Sequence, residues 1–87
     1  MRIIKKKTWP EFFEKVKSGE KRFELRLADF EIEKGDELIL KEWDPKEKNY
    51  TGRRIEKKID YVYHFNIDDF GQGKEVIKKG LNVIQFE

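Results

Sequence analysis

No cysteine occurs among the 87 residues, so neither a disulfide framework nor a thiolate metal site can staple the chain. One histidine, His64, leaves metal chemistry to carboxylates, and no loop has the ligand spacing of a calcium or magnesium site. The one serine, Ser18, is not accompanied in sequence by a histidine, which removes the usual hydroxyl nucleophile pattern. No apolar run approaches the length of a membrane span, and Met1-Arg2-Ile3-Ile4-Lys5 is too short and too charged for a signal peptide. The expectation is a cytoplasmic protein without a membrane segment, metal or cofactor. Methionine, asparagine and glutamine are scarce as well, while lysine and glutamate abound. That bias is expected of the surface ion-pair networks of a thermophile.

Charge fills the space those absences leave. Charged residues make up 44% of the chain, yet the formal net charge is only +2. The signs are unevenly spread: residues 1–27 carry an excess of five positive charges, residues 28–52 an excess of four negative charges, and the remainder is nearly balanced. The first helix and strand can therefore build a basic face, although a solvated thermophile surface explains the same numbers. The length allows one domain, residues 1–87, with a modest core, and a monomer is expected.

The pattern predicts a first strand over Arg2–Lys6 and then a helix. Thr8 and Glu11 fit a capping box, Pro10 is tolerated in the first turn, and Trp9, Phe12, Phe13 and Val16 supply the buried stripe. Ser18-Gly19 ends that helix. Strands follow over Arg22–Leu27, Glu37–Trp43 and Arg53–Tyr63, the last extended and bent, with Ile55, Ile59, Tyr61 and Tyr63 in one register. A loop runs from Asp44-Pro45 to Thr51-Gly52. Residues 66–80 are the hardest to assign, with a short helical turn near Lys74–Lys79, and Leu81–Phe86 forms a final strand. Five strands and one early helix favour a small mixed barrel, because an open sheet leaves edges unpaired.

The most informative stretch is Gly19-Glu20-Lys21-Arg22-Phe23-Glu24-Leu25-Arg26. Strand alternation puts Arg22, Glu24 and Arg26 on one face and Phe23, Leu25 and Leu27 on the other. The apolar face is expected to hold the strand down while the polar face presents fixed charges, with Lys21 at its mouth.

Together these segments resemble the ASCH superfamily, a PUA-like group of small β-barrels regarded mainly as RNA-binding. Its signature, Gly-x-Lys-x-x-Glu-x-Arg, is matched by Gly19, Lys21, Glu24 and Arg26. An uncharacterised subfamily of that group is more similar still, through Thr8-Trp9-Pro10-Glu11-Phe12-Phe13, Phe23-Glu24-x-Arg26, Asp29, Gly35-Asp36, Glu42-Trp43-Asp44-Pro45 and Tyr50-Thr51-Gly52-Arg53. The resemblance runs from about Lys7 to Val62 and implies a mixed α/β, mainly β fold: a PUA-like barrel with one N-terminal helix packed against it. Three departures stand out. Phe30 replaces a usual basic residue, residues 66–80 lack the usual Gly-rich stretch, and Glu24 stands where an acetylcytidine amidohydrolase of the wider group has its threonine. Lys21 matches that enzyme's lysine, but a carboxylate does not replace a hydroxyl nucleophile.

The expected function is RNA or nucleotide binding in a cleft lined by Lys21, Glu24 and Arg26. Arg26 suits a phosphate or base edge through its planar fork, Lys21 acts as a mobile point charge, and Glu24 accepts from an exocyclic amine or holds Arg26 in place. An internal ion-pair network that closes the barrel is the structural alternative. Tyr50 and Trp43 are candidates for base stacking, worth ~1–3 kcal/mol, with core packing favoured for Trp43. Arg53, with Lys5, Lys6, Lys7 and Arg54, is a candidate for phosphate contact, against plain solubilising charge. His64 and the Asp68-Asp69 pair read as structural. The alternative function is a small RNA- or nucleoside-processing enzyme, an amidohydrolase on a modified cytidine or a ribonuclease, using Lys21 and Glu24 as a proton-transfer pair. A third reading is a protein-interaction domain that uses the fold only as a scaffold.

Overall fold

A computed structural model of the chain describes residues 1–65 and 80–87. The helical turn expected near Lys74–Lys79 and the Asp68-Asp69 pair lie outside the described residues. In chain order the elements are β1 (Ile3–Thr8), α1 (Pro10–Lys17), β2 (Phe23–Leu27), β3 (Glu37–Asp44), β4 (Asn49–Phe65) and β5 (Leu81–Phe86). The strands form one five-stranded sheet in the order β1-β3-β4-β5-β2, in which β1 runs parallel to β3 and every other pairing is antiparallel. β4, with 17 residues, is the spine: its first part pairs with β3 and its last part with β5.

The expected barrel does not close. β1 and β2 are the two edges of the sheet, and no ladder joins them among the described residues. A side chain bridges the seam instead. Arg26 Nη2 on β2 donates to the Lys7 carbonyl of β1 at 2.6 Å, taking an acceptor that a β1–β2 ladder would otherwise use. Among the described residues the result is a mainly β domain with one short helix over an open mixed sheet.

Phe13, Val16, Leu38, Leu40, Ile59 and Ile84 are the most deeply buried hydrophobic residues. The helix contributes Phe13 and Val16, one turn apart on the face toward β3. Trp9 and Phe12, expected in the same stripe, are 51% and 45% exposed. An eight-residue helix has room for a narrow stripe, and Trp9 is the N-cap, outside the helical turn. The capping box does not form: Thr8 is the buried last residue of β1, and no side chain caps the helix. The stop at Ser18-Gly19 stands as expected, with Gly19 at a φ of 82° and its N–H donating to the Val16 carbonyl.

Two strands reverse the expected facing. On β2, Glu24 lies opposite fully buried Ile84 of β5, so Glu24 points to the core side while Phe23 and Leu25 point outward. On β4, Ile55 and Ile59 share the core register, but the pairing with β5 shifts between Ile59 and Tyr61. The extra residue, Asp60, inverts the alternation, leaving Val62 inside and Tyr61 and Tyr63 outside.

Candidate functional site

The octet that carries the candidate residues is pinned at several points. After the Gly19 turn, the Lys21 N–H donates to the Lys15 carbonyl at 2.9 Å, and the Phe86 N–H donates to the Arg22 carbonyl at 2.9 Å. Beyond that point β2 pairs along β5, and the side chains of Lys21, Glu24 and Arg26 meet at the β1–β2 seam.

Glu24 is the anchor. Its side chain is 5% exposed, and its two oxygens are divided between the two cations. Oε1 accepts from Lys21 Nζ at 3.2 Å, and Oε2 accepts from Arg26 Nε at 2.7 Å, with Nη2 at 2.6 Å. Two cations against one carboxylate leave the cluster with a net positive charge. Arg26 Nη1 has no partner among the described residues, and Lys21 Nζ has donor capacity beyond its single bond. The arrangement therefore offers N–H donors outward and keeps the carboxylate as an internal clamp. Of the two roles expected for Glu24, holding the cations in place is the one its geometry serves.

Above the trio is an open hollow of about 540 Å³. Lys7 and Thr8 form the β1 wall; Trp9 and Phe12 from the helix start, with Phe23 and Leu25 from β2, supply apolar surface. Lys21 Nζ lies 5.0 Å from the Phe12 ring centroid and 5.6 Å from that of Phe23, within cation–π range of both. Fixed donors and exposed rings thus border the same space. A planar, polar ligand with acceptor oxygens fits that chemistry.

The remaining candidates are elsewhere. Tyr50 packs edge-to-face on Trp43, with ring centroids 5.0 Å apart, and lies under Lys41. Arg53 is tied to Glu14 of α1 at 2.5 Å and to buried Glu42 at 3.6 Å, with its guanidinium over the Phe13 ring. The Glu14 hydrogen bond and the charges of both acids raise its pKa against the opposing effect of desolvation, so it is a permanent cationic brace for the helix. Neither residue borders the hollow. Among the other basic candidates only Lys7 does; its ammonium sits over Trp43, that of Lys6 over Phe30, and Arg54 pairs with Glu56. His64 Nδ1 is bonded to Asn82 Oδ1 at 2.9 Å, in keeping with a structural reading. A hollow of about 610 Å³ beside Phe30 and His64 contains none of the trio, and its acids Glu31 and Glu33 pair with Arg2.

Thr8, Trp9 and Phe12, expected from the sequence in capping and core, also line the hollow. The signal available was Pro10: proline restricts the residue before it to extended backbone, which takes Trp9 out of the helical stripe. Among the described residues no group of histidines and acids could hold a metal ion, and no helix is long and apolar enough to cross a membrane.

Residues 3–76 match the model of a family described as a domain of unknown function, DUF3850. The chain is also 40% identical over 61 residues to the "uncharacterized 12.9 kDa protein in GpA 3′ region" of Escherichia phage P2, a match covering 70% of this chain and 54% of the phage protein. It therefore spans about half the length of that relative. Among solved structures, the crystal structure of hypothetical protein PH0355 is similar with a TM-score of 0.71 and 18% identity, over 100% of this chain and 98% of the other. At that identity the likeness is one of fold.

Proposed function

We propose a function from the premise that the chain belongs to the DUF3850 family: it is an RNA-binding module that takes an unstacked nucleotide into the β1–β2 seam. The ASCH-like, PUA-like character of the Gly19–Arg26 signature agrees with this reading. The observation that carries it is the meeting of Lys21 and Arg26 on buried Glu24 beneath exposed Trp9, Phe12 and Phe23. Cations fixed by a carboxylate lose little entropy on gripping a phosphate or a base carbonyl, and exposed rings supply a stacking face. RNA proteins read bases splayed from single strands and loops, where both edges and faces are open.

Fluorescence anisotropy with labelled single-stranded RNA, at low and moderate salt, tests this. Wild-type protein binds, and Lys21→Ala with Arg26→Ala weakens binding about tenfold or more. The double variant also flattens the dependence of log K on log salt by about 1–1.5, since each phosphate contact on a single strand contributes about 0.7. Binding absent at both salts, or indifferent to the double substitution, overturns the proposal. Turnover of acetylated cytidine or structured RNA that disappears in Glu24→Gln would replace a binding module with an enzyme.

A further inference from the structure

We propose that the outer face of β4, β5 and β2 is a second base-stacking platform, so that the chain takes a single-stranded RNA segment running from the seam across Phe23, rather than one isolated nucleotide. This rests on the RNA-binding reading above and names the substrate class of that site.

The register of the sheet assembles the platform. Tyr61, Gln85 and Phe23 lie opposite one another across the three strands, and Tyr63, Val83 and Leu25 form the next rank. Both ranks look away from the core. Tyr61 and Tyr63 are 54% and 52% exposed, and Phe23 and Leu25 are exposed to a similar degree. The rings adjoin one another: Tyr61 and Tyr63 centroids are 6.4 Å apart, and Tyr63 and Phe65 centroids are 4.5 Å apart with planes 33° from parallel. Had the Asp60 bulge not inverted the alternation of β4, these tyrosines would have pointed into the core. A contiguous aromatic sheet face is uncommon on a molecule that needs no partner there.

Charge and continuity argue for a nucleic acid as the occupant. A groove of about 640 Å³ links the seam to the platform, sharing Lys21 and Phe23 with the seam hollow and Val83 and Gln85 with the hollow over the tyrosines. Arg22 and Lys57 line this groove, and neither is in an ion pair among the described residues; Arg22 Nε donates to the Gly19 carbonyl at 3.4 Å. Glu87 is the acid in that lining, and Asp60 at the platform edge is held by Gln85 Nε2 at 3.2 Å. Uncommitted cations between two sets of exposed rings match the alternation of phosphate and base along a single strand.

The test compares a labelled RNA of about ten nucleotides with a labelled dinucleotide by anisotropy. Tyr61→Ala with Tyr63→Ala is expected to weaken the longer RNA about tenfold and to leave the dinucleotide unchanged, and Arg22→Ser with Lys57→Ser is expected to do the same in kind. Lys21→Ala with Arg26→Ala weakens both ligands. If the platform variants bind the longer RNA like wild type while the seam variant does not, the platform is refuted and the seam reading stands. If wild-type protein binds neither ligand, the seam reading fails and this inference fails with it. If the tyrosine substitutions instead abolish self-association in sedimentation without touching RNA affinity, the face is a protein interface and the proposal is wrong.

Discussion

Glu24 and Asp36 are two buried carboxylates that serve different ends. Glu24 is surrounded by donors that also face a hollow, so its pairing shapes the site proposed for a ligand. Asp36 is fully enclosed and accepts from the Arg2 N–H, from Arg2 Nη1 and from the Glu33 N–H, at 2.9, 3.1 and 2.9 Å. Burial alone raises the pKa of Asp36, but the hydrogen bonds from the Arg2 and Glu33 amides and from the Arg2 guanidinium outweigh it, and the net direction is downward. The unfolded chain therefore binds this proton more readily than the folded one. The stability that Asp36 contributes is complete above the ordinary carboxylate value of about 4 and is lost as the pH falls through the lower folded value. Asp36→Asn keeps the shape and loses the charge-assisted bonds. Urea unfolding at pH 7 should show a loss of about 1–3 kcal/mol, and the variant's stability should change less than that of wild type as the pH falls below about 4. A variant as stable as wild type at pH 7 would show that the Asp36 knot is ornamental.

At the scale of elements, the turns at Gly19 and Gly35 are legible in the sequence, but Gly52, expected to close a loop, lies within β4, and facing is not legible. Gly19 ends α1 and Lys34-Gly35-Asp36 precedes β3, because a left-handed or tight turn leaves a local mark in sequence. The facing of β2 is the reverse of the one its residue pattern suggests. Alternation fixes only which residues share a side, and the side that meets the core depends on a partner strand more than fifty residues away. Because Glu24 is neutralised by two cations, it can occupy the inner side that Leu25 was expected to take. The Asp60 bulge was equally invisible, since nothing local distinguishes it from an ordinary exposed strand residue. Lys21, Glu24 and Arg26 are nevertheless legible as a group through spacing on one strand, whereas Tyr50 and Arg53 are engaged in other contacts that their residue types do not reveal. Gly80, immediately before β5, has a φ of 79°, and an added Cβ there would lie 2.5 Å from the Phe65 carbonyl oxygen and 2.8 Å from His64 Cε1. Gly80→Ala should cost about 1–3 kcal/mol in thermal or urea unfolding. Gly19→Ala, which meets open space at a similar φ, should cost about 1 kcal/mol. Equal losses at the two positions would mean that the close approach to His64 yields without resistance.

For the molecule as a whole, the open seam is what makes a cleft available. Five strands ordered β1-β3-β4-β5-β2 bring the first and second strands to opposite edges, although α1 alone separates them in sequence. Helix α1 connects the two strands in sequence and packs on β3, and Arg26 crosses the seam to the Lys7 carbonyl. A closed barrel would spend the same edge groups on a ladder and leave no hollow beneath Trp9 and Phe12. Of the excess of five positive charges in residues 1–27, three lie within β1, α1 and β2, and Lys21 and Arg22 stand at the start of β2. The most direct measurement is a two-dimensional NMR titration of labelled protein with short single-stranded RNA, following the Arg26 Nε–H and the Trp9 indole N–H. Saturable shifts in both, shared by the Thr8 amide, are the predicted result. RNA that leaves those three signals in place, whether or not it moves others, would contradict the seam as the binding site.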